Sequence, residues 1–240
     1  MKGVVLAGGR GTRLQPMTDV VNKHVLPVYD EPMIFYPVRT LLDNGINEIL
    51  VISTPADIGR YIQLLEDEFD ASFTYRVQRE PGGIAHAVQL AEDFVDDTFA
   101  VMLGDNIVLD DFHDEFNAFD EDETPAKVFL KQVDEPARYG VAAIEDDIIT
   151  QIEEKPDVPM SEYAIIGLYL YNSEVFDRIE KLEPSDRGEL EITDVNKQYV
   201  EDGTLEYEIV NGDWFDAGTP EGMFQASKYV REQHGLSDGA

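Results

Sequence analysis

An α/β fold, with a mostly parallel sheet and helices on both faces, is what this chain predicts on three observations. Short apolar runs alternate with segments of helical periodicity, in the order βαβαβαβ through about residue 104. The first run, Val4-Val5-Leu6-Ala7, is apolar at consecutive positions, as in a strand covered on both faces. It leads straight into Gly8-Gly9-Arg10-Gly11, a turn of the kind found where a strand of an open sheet ends at a ligand. After Asp105 the pattern becomes strand-rich, which adds a mixed β region. At 240 residues and 43% hydrophobic content, the chain is expected to form a single domain over 1–240.

Residues 2–7 form the first expected strand. A helix over 32–44 has Pro32 near its start, where a fixed φ suits the first turn, and stops at Asn44-Gly45. Ile49-Leu50-Val51-Ile52 repeats the unbroken apolar run and gives a strand at 48–53; Tyr61 and Leu65, one turn apart, anchor a helix at 56–68. Alternation over Phe73, Tyr75 and Val77 gives a strand at 72–77, followed by a helix at 83–95 and an apolar strand at 98–103. Beyond a helix at 111–119, strands are expected at 126–133, 139–144 and 163–171. Helices at 173–181 and 190–201, a strand at 205–210 and a helix at 219–232 complete the order. The last residues, Ser237 to Ala240, are expected to fray.

Fifty acidic residues against 18 basic ones leave a formal charge of −32, far beyond what solubility requires. Runs such as Glu66-Asp67-Glu68 and Asp120-Glu121-Asp122-Glu123 fall between apolar segments, so the charge is a property of the whole surface. Such a surface suits a high-salt cytoplasm, where repulsion is screened within about 3 Å at 1 M salt; the expectation is a halophilic, cytoplasmic protein. No basic face is available for nucleic acid. No apolar run is long enough for a membrane span, and no leader is visible. The absence of cysteine excludes disulfides, thiolate-bound zinc and thiol nucleophiles.

In so acidic a chain the cations are informative. Arg10, Arg13, Lys23, Arg138, Lys155 and Arg187 lie in or beside Gly/Pro-punctuated turns and are the candidates for an anion site. The loop from Leu6 through Gly8, Gly9, Gly11, Thr12 and Arg13 brings backbone N–H groups and guanidinium groups together, as wrapping a polyphosphate requires. It lacks the third glycine of a dinucleotide fingerprint and the Gly-Lys-Ser/Thr of a Walker loop. Leu103-Gly104-Asp105-Asn106 and Trp214-Phe215-Asp216-Ala217 each end an apolar run in a carboxylate. Two such carboxylates suit Mg²⁺, which takes one or two and completes its shell with phosphate oxygens and water; aspartate in these places equally caps helices and turns. In Gln78-Arg79-Glu80-Pro81-Gly82-Gly83, glycines can let backbone meet a flat base while Gln78 reads its edge, or the same segment can simply cap a helix. Lys155 precedes Pro156, which favours an extended backbone and a charge aimed at a phosphate, with Glu154 accepting from sugar hydroxyls. Arg187 precedes the expected helix at 190–201, whose N-terminus also favours an anion.

Together the segments Leu6 to Pro16, Lys23-His24-Val25-Leu26-Pro27, Leu103 to Asn106, Arg138-Tyr139-Gly140-Val141, Glu153-Glu154-Lys155-Pro156, Arg187 to Asp194 and Trp214 to Thr219 resemble sugar-1-phosphate nucleotidylyltransferases, most closely the glucose-1-phosphate thymidylyltransferase branch. The resemblance covers nearly the whole chain. It implies a Rossmann-like mixed sheet of the nucleotide-diphospho-sugar transferase type, with about 1–110 as the nucleotide half and about 111–235 as the sugar-phosphate half. It implies Arg13 and Lys23 on the triphosphate, with Leu6, Gly8, Gly9, Gly11, Thr12 and Pro81 around the nucleotide, and Gln78 and the Gly83 backbone on the base. It implies Mg²⁺ on Asp105 and Asp216, and Tyr139, Gly140, Glu154, Lys155, Ile165 and Arg187 around the sugar phosphate. Arg13, Lys23 and Lys155 then carry catalysis of transfer from dTTP, or alternatively UTP, to glucose 1-phosphate. A uridylyltransferase, another sugar phosphate, or a sensor without chemistry are the competing readings; the presence of all the charged positions argues against the last. The base loop departs from the family, with Gly82 in place of Asp, Ile84 in place of Leu and His86 in place of Gln. The chain also stops soon after the helix following Asp216, where longer members continue into a tail for subunit contacts and regulation. A homo-oligomer is left open.

Overall fold

The structure, a computed structural model, describes residues 1–122, 124–185 and 187–234. Glu123 of the acidic run and the expected fraying end 237–240 lie outside the described residues. The parallel half of the sheet is built from β1 (Lys2–Leu6), β4 (Glu48–Ser53), β5 (Ser72–Val77) and β6 (Phe99–Leu103). Among the described residues the main sheet has nine strands, and β1 is central to its parallel half: Leu6 pairs with Leu103 on one side and Ile52 on the other. Because β1 is covered on both faces, its consecutive apolar residues separate by parity. Val4 and Leu6 enter one core with Phe99, Val101 and Tyr171; Val5 and Ala7 enter the other with Ile49, Val51 and Met102.

The mixed half adds β8 (Ala126–Gln132), β9 (Gly140–Glu145), β10 (Ile148–Glu154), β11 (Tyr163–Tyr171) and β12 (Leu205–Ile209). β11 joins the halves, running antiparallel to β6 and also pairing with β8 and β9. A separate antiparallel ribbon pairs β7 (Asn106–Leu109) with β13 (Asp213–Asp216). β7, β10 and β13 were absent from the expected elements. β7 and β13 are short, while β10 follows β9 through Asp146 and Asp147, both at positive φ, so neither length nor composition isolates them.

Helices α1 (Phe35–Asp43), α2 (Ile58–Glu68), α3 (Ile84–Gln89), α4 (His113–Glu121), α5 (Glu174–Ile179), α6 (Ile192–Glu201) and α7 (Pro220–Gln233) fall on the expected segments, but α3 stops at Gln89 and residues 90–94 of the expected helix at 83–95 are turn. α1 starts three residues late. Pro32 instead belongs to β3 (Glu31–Pro32), paired with β2 (Pro27–Val28). Met33 N–H donates to Leu26 O at 2.9 Å and Ile34 N–H to His24 O at 2.9 Å, so the chain stays extended until those donors are satisfied. At its end, Gly45 adopts φ 85° and returns its N–H to Leu42 O, as expected of Asn44-Gly45. α7 opens with Thr219 as its cap, Oγ1 accepting from Gly222 N–H at 3.1 Å, and Pro220 in the first turn. No helix among the described residues is long and apolar enough to cross a membrane.

Candidate active site

A cleft of about 410 Å³ opens at the carboxyl ends of β1, β4, β5 and β6. Its floor is the loop after β1, where Gly9 and Gly11 take φ values of 94° and 58°. Those left-handed turns let the loop double back, and Gly11 O is held by Leu14 N–H at 2.9 Å and Thr18 Oγ1 at 2.7 Å. Leu6, Gly8, Gly9, Gly11, Thr12, Arg13, Lys23, Gln78, Pro81, Gly83, Asp105, Tyr139, Gly140, Glu154, Lys155, Ile165 and Asp216 all line this one cleft. Arg10 and Arg138 line it too. Arg187 stands behind the wall, its guanidinium 2.8 Å from Glu191 and 3.7 Å from Glu154. It sits ahead of the cap residue Glu191 and is tied to that carboxylate, so it does not present a bare cation at the N-terminus of α6.

Asp105 follows β6, as its apolar run predicts. Asp216 reaches the same place by register: it ends β13, pairs with Asn106 of β7, and is followed by Ala217 N–H donating to Asp105 O at 2.9 Å. A Cβ at position 218 would stand 2.5 Å from Asp105 Oδ2 and 3.0 Å from Asp216 Oδ1, so the carboxylates converge on one point. Lys23 pairs with Asp105, and Arg13 Nη1 lies 3.7 Å from Asp216 Oδ2. Burial would push the Asp105 carboxyl up, but the Lys23 ammonium and its hydrogen bond hold it well below the usual carboxylate range. Asp216 is pushed up, by burial first and by the Asp105 charge second. Among the described residues no group of three or more His, Asp or Glu could hold a metal. Two carboxylates converging on one point fit Mg²⁺, which would take its remaining ligands from phosphate oxygens and water.

Sequence reasoning did not assign Asn106 a role, although it stands next to Asp105 in Gly104-Asp105-Asn106. Its buried Oδ1 accepts from Gly167 N–H at 2.9 Å and Trp214 Nε1 at 2.7 Å, while Nδ2 donates to Asp105 Oδ1 at 3.3 Å. One amide thus ties β7, β11 and β13 together and orients a candidate metal ligand. His24, neighbour of Lys23, was also unassigned. Burial first, and the Lys23 charge second, lower its pKa to about 3, so it is neutral at pH 7 and faces Asn22 Oδ1 at 2.9 Å. It is a buried packing group whose ring lies against Gly104.

On the opposite wall, Glu154 Oε2 accepts from Thr193 Oγ1 at 2.6 Å and Oε1 lies 2.8 Å from Lys155 Nζ. Burial favours a neutral Glu154, yet the hydrogen bonds from Lys155 and Thr193, together with the Lys155 and Arg187 charges, keep the carboxyl below its ordinary range. Thr193 was missed because its partner lies 39 positions away. Lys155 departs from the extended backbone expected before proline: its φ is 46°. Its N–H donates to Tyr139 O at 2.9 Å, just past the Glu154–Gly140 pair, and that bond together with the turn out of β10 places a non-glycine residue in the left-handed region. Tyr139 packs edge-on to Trp214 with centroids 5.1 Å apart, closing this side of the cleft.

A family model for nucleotidyl transferases matches residues 2–233. The chain belongs to the nucleotidyl transferase family. It is 42% identical over 238 residues to the glucose-1-phosphate thymidylyltransferase of Neisseria meningitidis, covering 96% of this chain and 83% of that one. It is also 42% identical to the low-salt glycan biosynthesis nucleotidyltransferase Agl11 of Haloferax volcanii, covering 98% of this chain and 68% of the relative. A Bacillus anthracis protein assigned as a glucose-1-phosphate thymidylyltransferase, solved with a sucrose, superposes with a TM-score of 0.92 at 48% identity, over 97% of this chain and 96% of that one. A UDP-glucose pyrophosphorylase bound to UDP-glucose shares the fold, with a TM-score of 0.84 at 23% identity over 97% and 98% of the two chains.

Proposed function

We propose that this family member is a glucose-1-phosphate thymidylyltransferase: it transfers the nucleotidyl group of dTTP to glucose 1-phosphate and releases pyrophosphate. The observation that carries the reading is the placement of Asp105 and Asp216, facing each other between the glycine-rich loop and the Glu154–Lys155 wall. That leaves a nucleotide subsite on one side of the carboxylate pair and a sugar-phosphate subsite on the other. The relatives named above supply the substrate pair.

In this reading the residues before about 110 hold the triphosphate and those after hold the sugar phosphate. Gln78 and the Gly83 backbone meet the base, and Arg13 and Lys23 lie against the triphosphate. Glu154 accepts from sugar hydroxyls, with Tyr139, Gly140 and Ile165 shaping the pocket. Lys155 faces the sugar phosphate, and Arg187 supports Glu154 from behind. A phosphate oxygen of glucose 1-phosphate is already ionised at neutral pH and attacks the α-phosphorus in line; the bond to the bridging oxygen of pyrophosphate breaks, and no general base or covalent intermediate is needed. The residues' task is to align two anions that repel and to stabilise the added negative charge, which Arg13, Lys23 and Lys155 do electrostatically. Mg²⁺ held by Asp105 and Asp216 would supply further charge neutralisation at the phosphates.

The test is pyrophosphate release from glucose 1-phosphate in molar KCl with dTTP, UTP, CTP, ATP and GTP in parallel. Turnover is expected to be highest with dTTP. Some turnover with UTP is also expected, because one methyl in a pocket discriminates by only about 1–3 kcal/mol. A preference for ATP or GTP refutes the reading.

A further inference from the structure

The base loop brings the side chains of Gln78 and His86 together. Gln78 follows β5, with its backbone N–H bonded to Ser53 O at 2.8 Å. Its side-chain amide nitrogen Nε2 lies 3.3 Å from Gly83 O and 3.3 Å from His86 Nδ1. A carbonyl oxygen only accepts, so the atom facing Gly83 O must be the amide nitrogen, which has two protons to give. The second points at His86 Nδ1, which accepts it in the tautomer that carries the ring proton on Nε2. The amide oxygen Oε1 is turned the other way, where it lies against Gly8 in the cleft; a Cβ on Gly8 would be 3.3 Å from it. None of the described groups donates to it.

Space for the imidazole comes from position 82. A Cβ on Gly82 would collide with His86 Nδ1 and come within 2.7 Å of Cγ and 3.0 Å of Cβ, so the ring occupies the volume a side chain there would need. Gly83 follows with φ 95° and no room for a Cβ against the Leu190 backbone. Leu190 N–H donates to Gly82 O at 2.8 Å and Ala85 N–H to Leu190 O at 3.1 Å, so both glycines are pinned from behind.

We infer that His86, seated in the space left by Gly82, is a positioning residue that locks the Gln78 amide with its oxygen toward the base, and so selects nucleotides carrying an N–H at pyrimidine position 3. This rests on the proposed reading of the cleft as a nucleotide site. Thymine and uracil present that N–H donor to Oε1. Cytosine presents a lone pair instead, which meets the amide oxygen unfavourably unless the amide turns over. His86 holds one of the two restraints against that turn.

Equilibrium binding of dTTP and CTP by calorimetry, in molar KCl, reads this without turnover. His86→Leu should weaken dTTP and narrow the dTTP/CTP preference by about tenfold, the effect of one hydrogen bond that sets specificity. His86→Gln, whose amide oxygen can accept from Gln78, should restore most of it. Gly82→Ala, which crowds the ring, should behave like His86→Leu. In a Gln78→Ala background, His86→Leu should change nothing further, and binding of glucose 1-phosphate should be unaffected throughout. An unchanged dTTP/CTP preference in His86→Leu, or an equal loss in the Gln78→Ala background, overturns the inference. A wild-type protein that prefers dTTP but transfers nothing to glucose 1-phosphate overturns the functional reading alone; one that does not bind dTTP overturns both.

Discussion

Replacing Lys23 by Met keeps the alkyl stem and removes the charge that neutralises Asp105. The two side chains are only 16% and 14% exposed, so their pair belongs with buried ion pairs and needs no discount for solvent screening. Breaking such a pair by deleting one partner costs about 3–5 kcal/mol. Here the stranded carboxylate also faces Asp216, but it can escape part of the cost by taking up a proton, so about 3 kcal/mol is the expectation at pH 7. For a chain of this size that corresponds to a fall in Tm of about 6–12 °C. Acid gives the sign. Asp105 is depressed in the folded state, so its contribution to wild-type stability is present above the ordinary value of 3.8 and is lost as pH falls through the lower folded value. The gap between wild type and variant is therefore full at neutral pH and narrows in acid. Adding Mg²⁺ should raise the Tm of the variant more than that of wild type, where the cation must displace an ammonium already in place. Thermal melts in molar KCl with EDTA or Mg²⁺ decide the matter. A variant within about 2 °C of wild type at pH 7, less than 1 kcal/mol for a chain of this size, would refute the reasoning.

Asp216→Asn removes the charge that repels Asp105 while keeping an oxygen for Gly218 N–H, 3.1 Å away. It should raise Tm in EDTA, abolish Mg²⁺-dependent stabilisation and lower turnover at least about 100-fold, read by melts and pyrophosphate release on the same sample. Lys155→Ala should chiefly raise KM for glucose 1-phosphate and Arg13→Ala chiefly that for dTTP, because the two belong to different motifs, the end of β10 and the loop after β1; equal effects on both substrates would contradict the division. The charge of −32 predicts that Tm and activity fall steadily as KCl is reduced from molar to millimolar, and a melting point indifferent to salt would remove the halophilic reading.

Local chemistry is legible in the order of the residues alone. The sheet strands at 48–53, 72–77 and 163–171 match the structure residue for residue, because burial on one or both faces writes a period into adjacent positions. Leu6 to Leu14 announces an anion loop because its glycines and arginines act within a few residues of one another. Asp105 stands out because an apolar strand ends on it. What the sequence does not contain is partnership at a distance. Trp214 bonds Asn106 across 108 positions, Thr193 bonds Glu154 across 39, and Asp216 meets Asp105 only because β13 pairs with β7 in one register. Pro32 is part of a strand because carbonyls at 24 and 26 need donors, and Lys155 leaves the extended region because Tyr139 O claims its N–H. In these cases a group finds its neighbour in another element of the fold. Composition and spacing therefore determine the class of fold and the kinds of residue at the site, whereas the orientation of the carboxylates, the glutamine amide and the lysine is decided by satisfying those groups in three dimensions.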